Sequence, residues 1–406
     1  MIQCGMPRTP GRLSSTATSG HILELIRTGT ATNRSEIART TGLSRPSVAL
    51  RVAELVDGGL VVERNGAPSS GGRPPTLLEF DASSGLILTS ALGMARSQAA
   101  VCDLDGEVLV RTPGSPDMES GPDRTLPWLL ETWNEQLASL GRGAGDVRGV
   151  GIGLPGTVEY HTGRAADRPF LGTWAGVALE PLIAEHFPVP VTVDNDVNVM
   201  AVGELLHGGH GRPADMVFVK VSTGVGAGLV SGGRLLRGSL GAAGEIGHIP
   251  VREGGGLPCR CGNTDCLEAV AGGRALLNEA AARGKEVDGL KELVSLALDG
   301  DPVAVTLVRG AGRRLGEALA GAVNLLNPDT IVLGGDLSEA YDHLVAGVRE
   351  VVFQQCTALA TRQLRVLASS LWDEAGVRGC ASMVAEEILS PEAVNIFLAG
   401  APSQDT

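Results

Sequence analysis

From Gly85 onward the sequence alternates short apolar runs with amphipathic stretches, and glycine-rich turns close several of the runs. Val147–Leu154, Pro190–Asp194, Met216–Ser222 and Thr330–Leu333 have the length and β-branched content of buried strands. Leu86–Thr89 and Gln98–Asp103 are two more, and Asp105-Gly106 is a hairpin turn into Glu107–Arg111. Trp128–Leu140 and Pro302–Leu326 carry their apolar residues at helical spacing. The alternation predicts an α/β body with ligands gathered at the Gly-rich strand ends. A chain of 406 residues has room for two or three domains. Only 3% of residues are aromatic, so the cores must be built from Ala, Val, Leu and Ile.

The first eighty residues have a different texture. Residues 1–20 are polar and rich in Ser, Thr and Pro, which predicts a disordered arm. His21–Arg27 is a short helix with Ile22, Leu23, Leu25 and Ile26 on one face. Asn33 caps a second helix, with Glu36 three residues on as in a capping box, and Gly42 ends it. Ser44 caps a third, in which Val48, Val52 and Leu55 recur at helical spacing and Pro46 fits the first turn. A turn of about three residues sets the last two helices near a right angle, so that the third can enter a major groove. Arg45, Ser47 and Arg51 lie on its outward side. Leu60–Arg64 and Thr76–Phe80 form a hairpin with Gly71-Gly72-Arg73-Pro74-Pro75 at its tip. Arg73, stiffened between Gly and Pro, suits a narrow minor groove. The expectation is an all-α head with a wing, a winged helix-turn-helix over residues 21–80. A protein-interaction module is the alternative for the helices, and a flexible tip the alternative for the wing.

The net charge of −13 argues against a nucleic-acid binder, but the charge is unevenly spread. Residues 1–80 hold nine Arg against six Asp and Glu, so the acidic excess lies in the body. A mildly basic head on an acidic body fits a DNA-binding module joined to a ligand domain. The start lacks a signal-peptide pattern, and no run of roughly 18 apolar residues occurs, so the expected place is the cytoplasm, with no membrane span. The seven Cys are then reduced thiols, and the bunch Cys259, Cys261 and Cys266 reads as metal ligands. His248 completes a Cys3His set, a closed donor set of the kind that holds structural zinc.

Leu154-Pro155-Gly156-Thr157-Val158, Asp194-Asn195-Asp196-Val197-Asn198 and Ser222-Thr223-Gly224-Val225-Gly226-Ala227-Gly228 follow one another along the chain. Gly241-Ala242-Ala243-Gly244-Glu245-Ile246-Gly247-His248 and the cysteine run ending in Cys266-Leu267-Glu268 come next. In these segments the chain resembles the ROK family (repressors, open reading frames and kinases), from about residue 20 to about 390. The resemblance implies two α/β ribonuclease-H-like lobes, as in actin-like ATPases and hexokinases, with a sugar in the cleft. It places the first lobe at 81–197, completed by a C-terminal helix near 377–392, the second with its zinc at 198–376, and a tail at 393–406. It also implies that Gly156, Asn195, Asp196, Glu245, His248 and Glu268 contact the sugar. Asp196 matches the general base of the kinases. The metal would fix His248 and Glu245 beside the sugar pocket.

ROK kinases open the first lobe with an Asp-x-Gly-Gly-Thr turn for metal and phosphates. The matching stretch here is Ala91-Leu92-Gly93-Met94-Ala95-Arg96. Ala91 stands for the carboxylate, Met94 for the second Gly and Ala95 for the hydroxyl, so Mg²⁺ and phosphates lose their holders. Thr223–Gly226 and Gly334-Gly335 persist, which turn geometry alone explains. The expectation is a bacterial, nucleoid-associated repressor of carbohydrate genes without enzymatic activity. It would bind a double-stranded operator as a homodimer or dimer of dimers, carry structural zinc, and respond to a sugar or sugar phosphate. The alternative is an active ATP-dependent sugar kinase with a DNA-binding head, which the retained Asp196 favours. A regulator answering a partner protein is a third reading.

Overall fold

The computed structural model describes residues 17–65, 76–94, 96–116, 118–166, 172–252 and 254–400. They form two compact units, one from 17–86, 103–105 and 385–400, the other from 87–102 and 106–384.

The head begins with α1 (Ser19–Arg27), α2 (Arg34–Thr41) and α3 (Arg45–Asp57). An antiparallel pair follows, β1 (Val61–Asn65) with β2 (Thr76–Phe80), in which Val61 faces Phe80. Ile22, Leu23, Ile37, Val52, Leu55 and Leu78 are fully buried and make its core. Asn33 caps α2 as expected, accepting from the Glu36 N–H at 3.0 Å. The Glu36 carboxylate accepts from the Thr32 N–H at 2.8 Å, one residue before the position a capping box uses. That bond is the main cause holding Glu36 below the usual carboxylate range. Gly42 ends α2 at φ +77, a left-handed turn that favours glycine. Ser44 caps α3 through the Ser47 N–H at 3.3 Å. Residues 66–75, Arg73 among them, and residues 1–16 of the expected arm lie outside the described residues, while residues 17–20 depart from the expected disorder, with Ala17 buried and Ser19 starting α1.

The body holds two five-stranded sheets. The first uses β3 (Leu86–Ala91), β4 (Ser97–Asp103), β5 (Val108–Gly114) and β6 (Val147–Leu154), then the short β7 (Val158–Glu159) and β8 (Arg164–Ala165) pair, then β9 (Val191–Asn195). Its order is β5-β4-β3-β6-β9, with β4–β5 antiparallel and β6–β9 parallel. The second uses β10 (Met216–Val221), β11 (Val225–Ser231), β12 (Arg234–Leu235), β13 (Thr330–Gly334) and β14 (Arg365–Ala368). Its order is β12-β11-β10-β13-β14, antiparallel through β12, β11 and β10 and parallel through β10, β13 and β14. The order repeats, giving the expected pair of ribonuclease-H-like lobes. Helix α4 (Pro122–Ser139) sends Trp133 into the first lobe, where its Nε1 donates to Thr89 O at 3.1 Å. Helix α5 (Leu179–Ala184) precedes β9.

Helix α6 (Asp196–His207) packs on β6 and β9 of one sheet and β10 and β11 of the other. The second lobe adds α7 (Leu267–Ala271), α8 (Gly273–Ala282), α9 (Leu290–Leu298), α10 (Pro302–Leu326), α11 (Tyr341–Gln355) and α12 (Ala358–Thr361). The chain then returns through α13 (Ala375–Ile388). A Cβ on Gly203 would stand 2.0 Å from Ala375 O, and one on Gly379 1.7 Å from Val199 O, so the backbones of α6 and α13 touch. Glu204, 1% exposed, ties α6 to the turn between β14 and α13. It accepts from Ser369 Oγ at 2.8 Å, Ser370 N at 2.9 Å and Ser370 Oγ at 2.6 Å, with His210 Nε2 at 3.2 Å.

The C-terminal region corrects the sequence expectation of one helix near 377–392 followed by a tail. Pro391 starts a separate helix, α14 (Pro391–Gly400), and Ser390 Oγ caps it through the Ala393 N–H at 3.3 Å. Helix α14 completes the head. Gly20 N donates to Asn395 Oδ1 at 3.0 Å, and Asn395 Nδ2 donates to Thr18 Oγ1 at 2.9 Å. Val394 is buried. Among the described residues no helix is long and apolar enough to cross a membrane.

Candidate functional site

Strand β6 ends in Leu154-Pro155-Gly156, with Gly156 at φ +84, and β9 delivers Asn195 and Asp196 beside it. One amide fixes both loops. Asn195 Oδ1 caps α6, accepting from Val197 N at 2.9 Å and Asn198 N at 3.2 Å, while Nδ2 donates to Gly156 O at 2.7 Å. Asp196, 7% exposed, pairs with the ammonium of Lys220 from β10. Opposite, Thr157 Oγ1 donates to Glu245 Oε1 at 2.8 Å, and Glu245 Oε2 lies 3.8 Å from His248 Nε2. Glu268 on α7 accepts from the Val225 N–H at 3.2 Å. A Cβ on Gly224 would stand 2.3 Å from Glu268 Oε2, so a side chain there would displace that carboxylate.

Gly156, Asn195, Asp196, Glu245, His248 and Glu268 therefore line one cleft that opens to solvent. Sequence reasoning missed Lys220, which lines it too. The available signal was a lysine interrupting the buried run Val217-Phe218-Val219-Lys220-Val221. It also missed Arg237, whose Nε donates to the buried Asp194 at 2.8 Å and whose guanidinium lies 4.0 Å over the Tyr160 ring.

Behind His248 stand the three thiols. Cys259 Sγ is 3.7 Å from His248 Nδ1, Cys261 Sγ is 3.6 Å from Cys266 Sγ, and the four donor atoms lie within 4.8 Å of one another. A tetrahedral zinc site puts its donors about 3.4–3.8 Å apart, so the set fits. The imidazole presents Nδ1 to the thiols and Nε2 to Glu245, which makes it a bridge between metal site and cleft. Burial pushes the Cys266 thiol up to about 12 and raises Cys259, while the Asn263 N–H lowers Cys261. A cation must displace these protons on binding.

A second cleft of about 780 Å³ adjoins the first and shares Met94, Asp196, Lys220 and Thr223 with it. Ala91 and Met94 line it where the sequence comparison with kinases expects phosphate holders. Its guanidinium, Arg96, pairs with Asp336 and lies 3.5 Å from Asp373.

On the head, Arg45 is exposed and Arg51 half-buried on α3. The Ser47 hydroxyl is 2.8 Å from Ser44 Oγ, so it belongs to the helix cap. Leu50 is 64% exposed on the same helix, which the sequence reading did not single out.

A sequence profile described as ROK family matches residues 90–387. The chain belongs to the ROK family. The xylose repressor of Caldicellulosiruptor bescii is 29% identical over 382 residues, covering 91% of this chain and 95% of that protein. The crystal structure of a ROK family transcriptional regulator, a homologue of the E. coli MLC protein, has a TM-score of 0.79 at 28% identity, over 95% of this chain and 99% of its own. The ROK glucokinase of Streptomyces griseus, solved with glucose and AMPPNP, has a TM-score of 0.62 at 29% identity, over 74% of this chain and 99% of its own. ROK regulators thus match the chain almost throughout, and the ROK kinase matches a smaller part.

Proposed function

We propose that this ROK protein is a cytoplasmic, sugar-responsive transcriptional repressor that has kept the sugar cleft and lost the use of ATP. One observation carries the reading. Asn195, Asp196 and Glu245, expected to hold the sugar, line one cleft, while Ala91, Met94 and the Arg96–Asp336 pair line the adjoining one, where a kinase would hold phosphates. The repressor relative's coverage of both head and body supports it.

The head acts as a winged helix-turn-helix, with α3 in the major groove. Arg45 and Arg51 reach bases or phosphates, Leu50 contacts thymine methyl groups, and Arg73 enters the minor groove. The body carries zinc on His248, Cys259, Cys261 and Cys266 as a structural ion. A sugar in the cleft hydrogen-bonds Asn195, Asp196, Glu245, His248 and Glu268, with Gly156 shaping the loop beside it. Closure of the lobes about the α6–α13 crossing then shifts a homodimer between operator-binding and released states, which needs only a few kcal/mol of preference.

A promoter fragment titrated with protein by fluorescence anisotropy, with and without sugars, tests the reading. Operator affinity that no sugar alters would sink it. Arg51→Ala is expected to cost about 1–3 kcal/mol of operator affinity. Unchanged anisotropy curves at fixed salt would refute that contact. The retained Asp196 favours a second reading, a residual sugar kinase. A coupled ADP-release assay separates the two: turnover that vanishes in Asp196→Asn supports the kinase.

A further inference from the structure

We infer that the cleft takes a neutral sugar and rejects the phosphate ester of that sugar. This rests on the sugar-binding reading above and adds the charge of the ligand. A phosphate needs donors not already committed, either backbone N–H groups at a helix start or glycine turn, or cations without a partner. The cleft offers several such groups, and internal acceptors occupy the five that follow.

The Val225 N–H of the glycine turn donates to Glu268 Oε2 at 3.2 Å. The first-turn amides of α6, at Val197 and Asn198, donate to Asn195 Oδ1. The Lys220 ammonium pairs with Asp196, and the Arg96 guanidinium pairs with Asp336. Arg260, just outside, has its Nη2 4.0 Å from Glu268 Oε1.

The balance of charge is negative throughout. In the first cleft Asp196, Glu245 and Glu268 surround Lys220, the one Lys or Arg among its described lining residues. In the second, Asp196, Asp336, Glu339 and Asp373 stand against Lys220 and Arg96. A phosphate dianion entering either cleft must push a carboxylate off its cation and then lie against it. At the mostly buried Lys220–Asp196 pair that repulsion is less screened than in bulk water. Sugar hydroxyls meet no such conflict, because each donates to a carboxylate and accepts from an ammonium or amide. The same carboxylates that favour the polyol discriminate against its ester.

Isothermal titration of the full-length, zinc-loaded protein tests this with matched pairs. The probes are neutral pentoses, hexoses and N-acetylhexosamines, the terminal phosphate ester of each, and inorganic phosphate. At least one neutral sugar is expected to bind, its ester at least about a hundredfold more weakly, and inorganic phosphate not at all. An ester that binds as tightly as its parent overturns the inference and leaves the sugar reading standing. No binding by any sugar, neutral or phosphorylated, overturns the sugar reading, and the inference falls with it. The double variant D336N/D373N frees Arg96 and is expected to narrow the gap at least about tenfold. An unchanged ratio in a variant that melts like the parent overturns the electrostatic account.

Discussion

Cys261→Ser is expected to lose its bound metal, from about one zinc per chain to a small fraction, and to lower the unfolding midpoint by about 10 °C. The loop from Ile249 to Cys266 explains the size of the effect. Ile249 and Leu257 are exposed, and Val251 and Cys266 are its buried hydrophobic side chains, so little apolar burial holds it. Its order rests on a few bonds, such as Val251 N to Asp265 O at 2.9 Å and Leu257 N to Asp265 Oδ1 at 2.9 Å, and on the four ligands. Sugar affinity should fall at least about tenfold as well, because the ring of His248 faces the cleft from the metal site. Elemental analysis and calorimetry check both parts. Stoichiometric zinc in the variant would count against the assignment of Cys261.

Glu204→Ala is the second large effect, at about 3 kcal/mol of stability or more. The substitution removes the shared acceptor of the buried Ser369 Oγ and of the Ser370 N–H and hydroxyl, and it empties the place of a carboxylate that is itself buried. Glu204→Gln keeps an acceptor oxygen and should cost less. Urea melts of the three proteins decide it, and coincident midpoints would show that Glu204 contributes nothing to stability.

The sequence was most legible where local chemistry dictates the outcome. Val147–Leu154 and Pro302–Leu326 were bounded correctly because a β-branched run and a helical period each have one comfortable conformation. Asn33 and Ser44 announced their helices through capping. The donor cluster His248, Cys259, Cys261 and Cys266 was legible from its residue types, although His248 stands 11 residues before Cys259. Tertiary partnerships were not legible. Pro391–Gly400 is apolar with a single acidic residue, and nothing local reveals that it packs on α1. Lys220 and Arg237 gain meaning only once β10 and the loop after β12 face Asp196 and Asp194.

The bond between Gly20 and Asn395 joins residues 375 positions apart. A ribosome must therefore translate the whole sensor before the reading head can be finished. Chains cut short by a premature stop would leave α1 without its brace, so an incomplete protein, unable to answer any signal, is poorly equipped to occupy an operator and hold a gene shut.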